Sequence, residues 1–212
     1  MIIPPDERSS DPLEGPAVLT HPDMERAWRH IVEEYEPPQR EYCILLTCSM
    51  RRPYHESPSH RIYDQVIFSV LPSEKVHLVV FGTCGVVPRE LDGEYPFMNY
   101  RFMLGKSDQS VKRAFVPHEA MRLAAYLERN RDRYGKIVVY AIGVFREAAL
   151  LAGEMTGIPI KVLPHDDTIT ALTDPSRRFP PGSLMDQAYL QDLADALADM
   201  EGLPRKKAVV HR

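Results

Sequence analysis

Hydrophobic positions follow two rhythms along the chain. Over residues 23–36, Met24, Ala27, Trp28, Ile31, Val32 and Tyr35 recur at helical spacing behind Pro22, and Pro37-Pro38 end the run. Residues 42–47 form instead a short continuous apolar run, the pattern of a strand buried on both faces. From Cys48 to Ser59 no period is visible, and then His60, Tyr63, Ile67, Phe68 and Leu71 return to helical spacing. The alternation continues with a strand over 76–82, a helix over 117–134, a strand over 136–142 and a helix over 144–156. A strand over 158–163 and a final helix over 185–200 complete it. Strands alternating with helices predict an α/β fold: a three-layer α/β/α sandwich around a mostly parallel sheet of about four strands, joined by right-handed crossovers.

Residues 1–20 are rich in Pro, Asp, Glu and Ser and read as a flexible N-terminal arm. Residues 21–203 read as a single α/β domain and 204–212 as a basic C-terminal tail. Two long Pro-bearing stretches, 85–110 and 166–184, read as irregular loops, and loops of that length tend to be functional.

Composition narrows the function. A chain of 212 residues with 44% hydrophobic and 26% charged residues can pack a core. With 26 Lys and Arg against 30 Asp and Glu the net charge is −4, so any contact with nucleic acid needs a local basic patch. Cys43, Cys48 and Cys84 include no C-x-x-C pair, which supports neither a disulfide framework nor a four-cysteine zinc site and fits a reducing cytoplasm. No apolar run approaches membrane-spanning length, so no membrane partner is expected. Nineteen prolines against eleven glycines hint at heat tolerance. Gly143-Val144-Phe145 lacks a phosphate-binding glycine pattern, and His165-Asp166-Asp167 reads as a turn or cap rather than a metal site, so neither cofactor nor metal is expected. His21, His30, His77, His118 and His211 have no partner visible in the sequence.

In open α/β sheets ligands bind outside the carboxyl ends of the strands, where Cys48, Cys84, Gly143 and His165 fall. Residues 47–60 gather a thiol, two guanidiniums, several hydroxyls and two imidazoles. A thiol between a strand end and a helix N-terminus, beside Arg and His, is in the setting that makes cysteines nucleophilic, with His60 as its partner or as a general acid. The alternative is a buried, inert Cys48, with Ser57 or Ser59 capping the next helix.

This loop resembles the C-x-x-x-K-P-Y-x-x-S-x-x-H signature of archaeosine synthase, an archaeal tRNA-modifying enzyme related to tRNA-guanine transglycosylase. Cys48, Pro53, Tyr54, Ser57 and His60 stand at matching positions. A second run, Gly85-Val86-Val87-Pro88-Arg89-Glu90-Leu91 followed by Tyr95-Pro96 and Tyr100, is similar to a G-x-V-P-x-E-L, Y-P, Y run of the same family. The likeness covers about residues 37–163 and is that of a stand-alone copy of the family's core domain. It implies addition of an amine, such as that of lysine, to the nitrile of 7-cyano-7-deazaguanine in archaeal tRNA. Cys48 would attack the nitrile carbon to give a thioimidate and His60 would protonate the nitrogen. Tyr54 and Ser57 would bond the base or the developing charge. Pro53 is read as substrate-binding; Arg89 and Glu90 read either as substrate-positioning residues or as a brace of the fold, the alternative from the residues alone being a solvated loop pair.

Two positions depart from the family pattern: Thr47 replaces a proline and Arg52 a lysine. A guanidinium cannot act as a nucleophilic amine, although Arg52 can bind an anion in the lysine's stead. The departure favours an alternative, a non-catalytic tRNA-binding or scaffolding subunit of a split enzyme completed by a second protein subunit. Pro53-Tyr54-His55 also resembles the water-activating motif of uracil-DNA glycosylases, but Arg52 stands where those enzymes carry Asp. That resemblance implies a shared fold and a nucleobase pocket rather than glycosidic hydrolysis. RNA contact is assigned to Arg51, Arg61, Arg177 and Arg178, with Arg205-Lys206-Lys207 as a further cluster, gathered at the carboxyl edge of the sheet.

Overall fold

The apolar run of the first strand extends on both sides into a sheet covered on both faces. In the computed structural model, which describes residues 1–172 and 183–210, five strands run in the order β3-β2-β1-β4-β5. These are β1 (Arg40–Thr47), β2 (Val76–Gly82), β3 (Gly85–Pro88), β4 (Tyr134–Tyr140) and β5 (Ile160–Leu163). All neighbours are parallel except β2 and β3, which form a hairpin. The helices are α1 (Pro22–Glu33), α2 (Pro58–Val70), α3 (Gln109–Arg129), α4 (Gly143–Thr156), α5 (Asp166–Leu172) and α6 (Gln187–Met200).

Successive strand side chains point to opposite faces, and this divides the core. Cys43 and Leu45 of β1 and Ile137 and Val139 of β4 pack with buried residues of α1, α3 and α4. Tyr42, Ile44, Leu46, Val138 and Tyr140 pack with α2 and α6. The result is the three-layer α/β/α arrangement, with the carboxyl ends of β1, β4 and β5 level, since Leu46 pairs with Tyr140 and Tyr140 with Leu163.

Four features differ from the sequence reading. The sheet has five strands rather than four: β3 is only four residues long and ends on Pro88, tolerable because the strand is at the edge. Helix α3 begins at Gln109, capped by Asp108, and carries Pro117 in its interior; buried Phe115 anchors the added segment, about two turns, to the core. Within 166–184, Asp166–Leu172 is helical. Residues 1–20 are not a loose arm, because Ile3 and Val18 are fully buried and Arg101 N donates to Leu13 O at 2.7 Å. These apolar residues are irregularly spaced, so no period announced them. The tail is also docked: Ala208 is buried and bonded to Gln187 and Gln191 of α6.

Candidate functional site

Cys48 leaves β1 opposite Gly82 of β2, and the contact there is unusually close. A Cβ on Gly82 would fall inside the van der Waals envelope of Cys48 Cβ and Sγ, so only glycine lets the first loop press against β2. Thr83 and Cys84 then turn the chain, with Gly85 at φ +82°, into β3. Cys48 Sγ lies 3.8 Å from Thr83 Oγ1. The thiol is partly exposed and lines a cavity of about 360 Å3. Ser49, Ser57, Ser59 and Tyr63 bring hydroxyls to it, while Met50, Met103, Phe145 and Met185 give it apolar walls. Three methionines beside an aromatic ring make an adaptable, polarisable surface suited to a flat ring. The N-terminus of α2 borders this cavity, with Ser57 as N-cap accepting from His60 N at 3.3 Å.

The two sequence motifs are one physical unit, joined at three places. Tyr54 and Tyr100, each buried, share a hydrogen bond of 2.8 Å between hydroxyls. His55 donates its backbone N–H to buried Asp92 at 2.9 Å and pairs with the same carboxylate through Nδ1 at 2.7 Å. Arg89 donates to Nδ1 of His60 at 3.0 Å while both of its terminal nitrogens bind Asp64 at 3.0 Å. The second motif thus latches the loop that carries Cys48.

These latches reassign several predicted site residues. His60 is fully buried; its Nε2–H donates to Thr47 O at 3.0 Å and its Nδ1 accepts from Arg89. Burial first, and the Arg89 charge second, lower its pKa to about 3, so it is a neutral imidazole with both nitrogens used. It is not placed to protonate a substrate; it holds the strand end from which Cys48 emerges. Tyr54 does not line the cavity and packs beneath it, stacked on His60 at 5.8 Å between ring centroids. Arg52 lies with its guanidinium 3.5 Å over the Tyr100 ring, and Nη1 donates to Met50 O at 3.2 Å. Pro53 opens the short turn that presents Tyr54, and Pro53 O accepts from Glu56 N at 3.2 Å. Glu90 lies away from the cavity, beside the first residues of β2, bonded to Tyr35 and to His77 Nε2. Burial disfavours its charge, but the hydrogen bonds from His77 and Tyr35 outweigh that and bring it down to about 2.

Among the expected RNA contacts, Arg51 is at the cavity mouth and exposed, and Arg61 is exposed on α2; neither makes an ion pair among the described residues. Arg177 and Arg178 lie outside the described residues, as does His211. Arg205 is committed to Asp199 of α6, and the tail residues do not line the cavity. Of the histidines without a visible partner, His21 caps α1 and His77 is buried in a bonded cluster. His165 pairs with Asp192, and Asp166 with Arg146. Among the described residues no cluster could hold a metal ion, and no helix is long and apolar enough to cross a membrane.

Sequence reasoning missed Gly82, Tyr63, Met103, Phe145 and Met185. Tyr63 follows His60 by three residues on α2 and was legible only as part of an apolar face. Met103 comes from an irregular segment and Met185 from a short 3-10 turn before α6, and only the tertiary fold brings them to Cys48.

The model of the family described as "Domain of unknown function (DUF5591)" matches residues 24–173. Archaeosine synthase subunit alpha of Methanosarcina acetivorans is 30% identical over 144 residues, 67% of this chain and 22% of that protein. The subunit alpha of Thermococcus kodakarensis is 28% identical over 187 residues, 82% of this chain and 31% of that protein. Archaeosine synthase of Haloferax volcanii is 34% identical over 98 residues, 46% of this chain and 15% of that protein. The chain therefore spans under a third of the length of these curated relatives. The crystal structure of AF0587, a protein of unknown function, shares the fold with a TM-score of 0.53 at 18% identity, over 80% of this chain and 48% of that one.

Proposed function

We propose, on the premise that this chain belongs to the DUF5591 family and is a distant relative of the archaeosine synthases, that it acts in tRNA base modification, adding an amine to a nitrile-bearing base. The observation that carries this reading is the Cys48 thiol, partly exposed on a cavity of nucleobase dimensions at the carboxyl edge of the sheet. The substrate is 7-cyano-7-deazaguanine in tRNA and the donor an amine such as that of lysine. Cys48 Sγ attacks the nitrile carbon, giving a thioimidate; the amine then adds to that carbon and expels the thiol, leaving an amidine. Gly82 sets the position of the sulfur, the methionine walls take the ring, and Ser57 offers its hydroxyl at the cavity wall. Arg51 and Arg61, exposed and without ion pairs among the described residues, bind phosphates of the tRNA around the mouth.

The test is to incubate the full chain with tRNA carrying the nitrile base and to weigh the protein intact. A mass gain on Cys48 equal to the substrate, absent in Cys48→Ala, is expected. A second reading, a tRNA-binding or scaffolding subunit, is favoured by Arg52 at the place of the family's lysine. It predicts retained tRNA binding with no adduct.

A further inference from the structure

With both nitrogens of His60 engaged, proton transfer at the cavity falls to another group, and the start of α2 brings a row of hydroxyls to it. Ser57 Oγ already accepts from His60 N, and it lies 3.3 Å from Ser59 Oγ. Ser59 lines the same wall as Tyr63 and favours the deprotonated form of its phenol, against the larger effect of burial. Ser57, Ser59 and Tyr63 therefore set a row of hydroxyls along one side of the cavity. All three residues line the cavity shared with Cys48. Burial, then the nearness of Cys48, push the Tyr63 pKa up, which keeps the phenol protonated at neutral pH. Its ring is held edge-on to Tyr140 at 5.3 Å between centroids and tilted against His60 at 5.7 Å.

We infer that Tyr63 is the proton donor of the site, delivering its phenolic proton to the nitrile nitrogen as Cys48 Sγ bonds to the nitrile carbon, with Ser57 and Ser59 stabilising the phenolate that forms. One carbon–nitrogen π bond breaks, and its electron pair takes the Tyr63 proton. The proton released by the Cys48 thiol restores the phenol, so the net step is addition of S–H across C≡N and needs no co-reactant. This rests on the reading of Cys48 as nucleophile toward a nitrile.

The test measures the rate of Cys48 adduct formation with nitrile-bearing tRNA, by intact mass across pH 6 to 9, for the unsubstituted chain, Tyr63→Phe, Ser59→Ala and Cys48→Ala. Phe keeps the ring packing and removes only the hydroxyl. Loss of a positioned general acid slows such a step by about 100-fold or more. Tyr63→Phe is therefore expected to lose that factor with tRNA affinity and melting temperature unchanged, and Ser59→Ala about tenfold, with a shifted pH profile. An adduct rate for Tyr63→Phe equal to that of the unsubstituted chain overturns the assignment while leaving Cys48 as nucleophile. Absence of any adduct in the unsubstituted chain overturns the Cys48 reading, and this one with it.

Discussion

The two ends of the sheet are built from the same side-chain types, tyrosine, histidine, cysteine and a carboxylate, and use them in opposite ways. At the amino end, Tyr126 and Tyr134 share a bond of 2.7 Å, Tyr134 bonds His77 Nδ1 at 2.7 Å, and His77 Nε2 and Tyr35 both meet Glu90. Cys43 is sealed beneath, and burial pushes its thiol far up. Every member finds its partner inside the cluster. At the carboxyl end, the Cys48 thiol has, among the described residues, one hydrogen-bonding partner, Thr83 at 3.8 Å, and the hydroxyls of Ser59 and Tyr63 line the same cavity. Unspent bonding capacity beside a cavity, more than the presence of polar residues, separates a candidate site from a brace.

This contrast can be broken most strongly at Gly82. Gly82→Val drives a side chain into the space of Cys48, and the strand or the loop must move. Overpacking of this kind costs about 1–3 kcal/mol of stability. Adduct formation on Cys48 is expected to fall by two orders of magnitude or more, with the amino-end cluster intact by hydrogen exchange. Retained reactivity would mean that the sulfur does not depend on this approach.

The next largest effect is on acid stability. His60 titrates near 6.5 when unfolded and at about 3 when folded, so between those values the unfolded chain binds the extra proton. Stability therefore falls as pH drops from 6.5 toward 3, by up to about 1.4 kcal/mol per pH unit for this group. Glu90 adds to the loss from 4.5 downward, as its folded value is about 2. His60→Gln is expected to flatten the slope between pH 6.5 and 4.5 in denaturant melts; an unchanged slope would remove His60 as its source.

A smaller effect is expected at the amino end. Glu90→Gln removes the charge that His77 and Tyr35 share, costing about 1 kcal/mol because the carboxylate is 45% exposed. Cys48 adduct formation should be unchanged, and a parallel loss of reactivity would show that the two ends are coupled. The smallest effect is at the rim. Arg51→Ala and Arg61→Ala are each expected to reduce the slope of log affinity for tRNA against log salt by about one, with no change in stability. An unaltered slope would place the RNA elsewhere.

Much of this was legible in the chain before folding was considered. The continuous apolar run at 42–47 and the helical spacing beyond 60 named the parallel sheet and its crossovers, since burial on both faces leaves that mark. The resemblance singled out Cys48, and the structure puts it at a cavity. The same motif misled at His60, Tyr54 and Glu90. A motif records which residues go together, and these are held together as a latch, with Tyr54–Tyr100, His55–Asp92 and His60–Arg89 bonding one run to the other. The strand β3 escaped notice because four residues ending in proline carry too little period to register. The N-terminal segment escaped because Ile3, Leu13 and Val18 obey none.

By itself the amino-acid order determined the layers of the fold, the edge of the sheet where chemistry falls, and the thiol at that edge. These follow from local periodicity and from where strands stop, which short stretches of chain encode. Only the tertiary structure decided which polar groups remain free. That depends on partners 29 to 46 residues distant, and a donor or acceptor is spent or available according to what the fold sets against it.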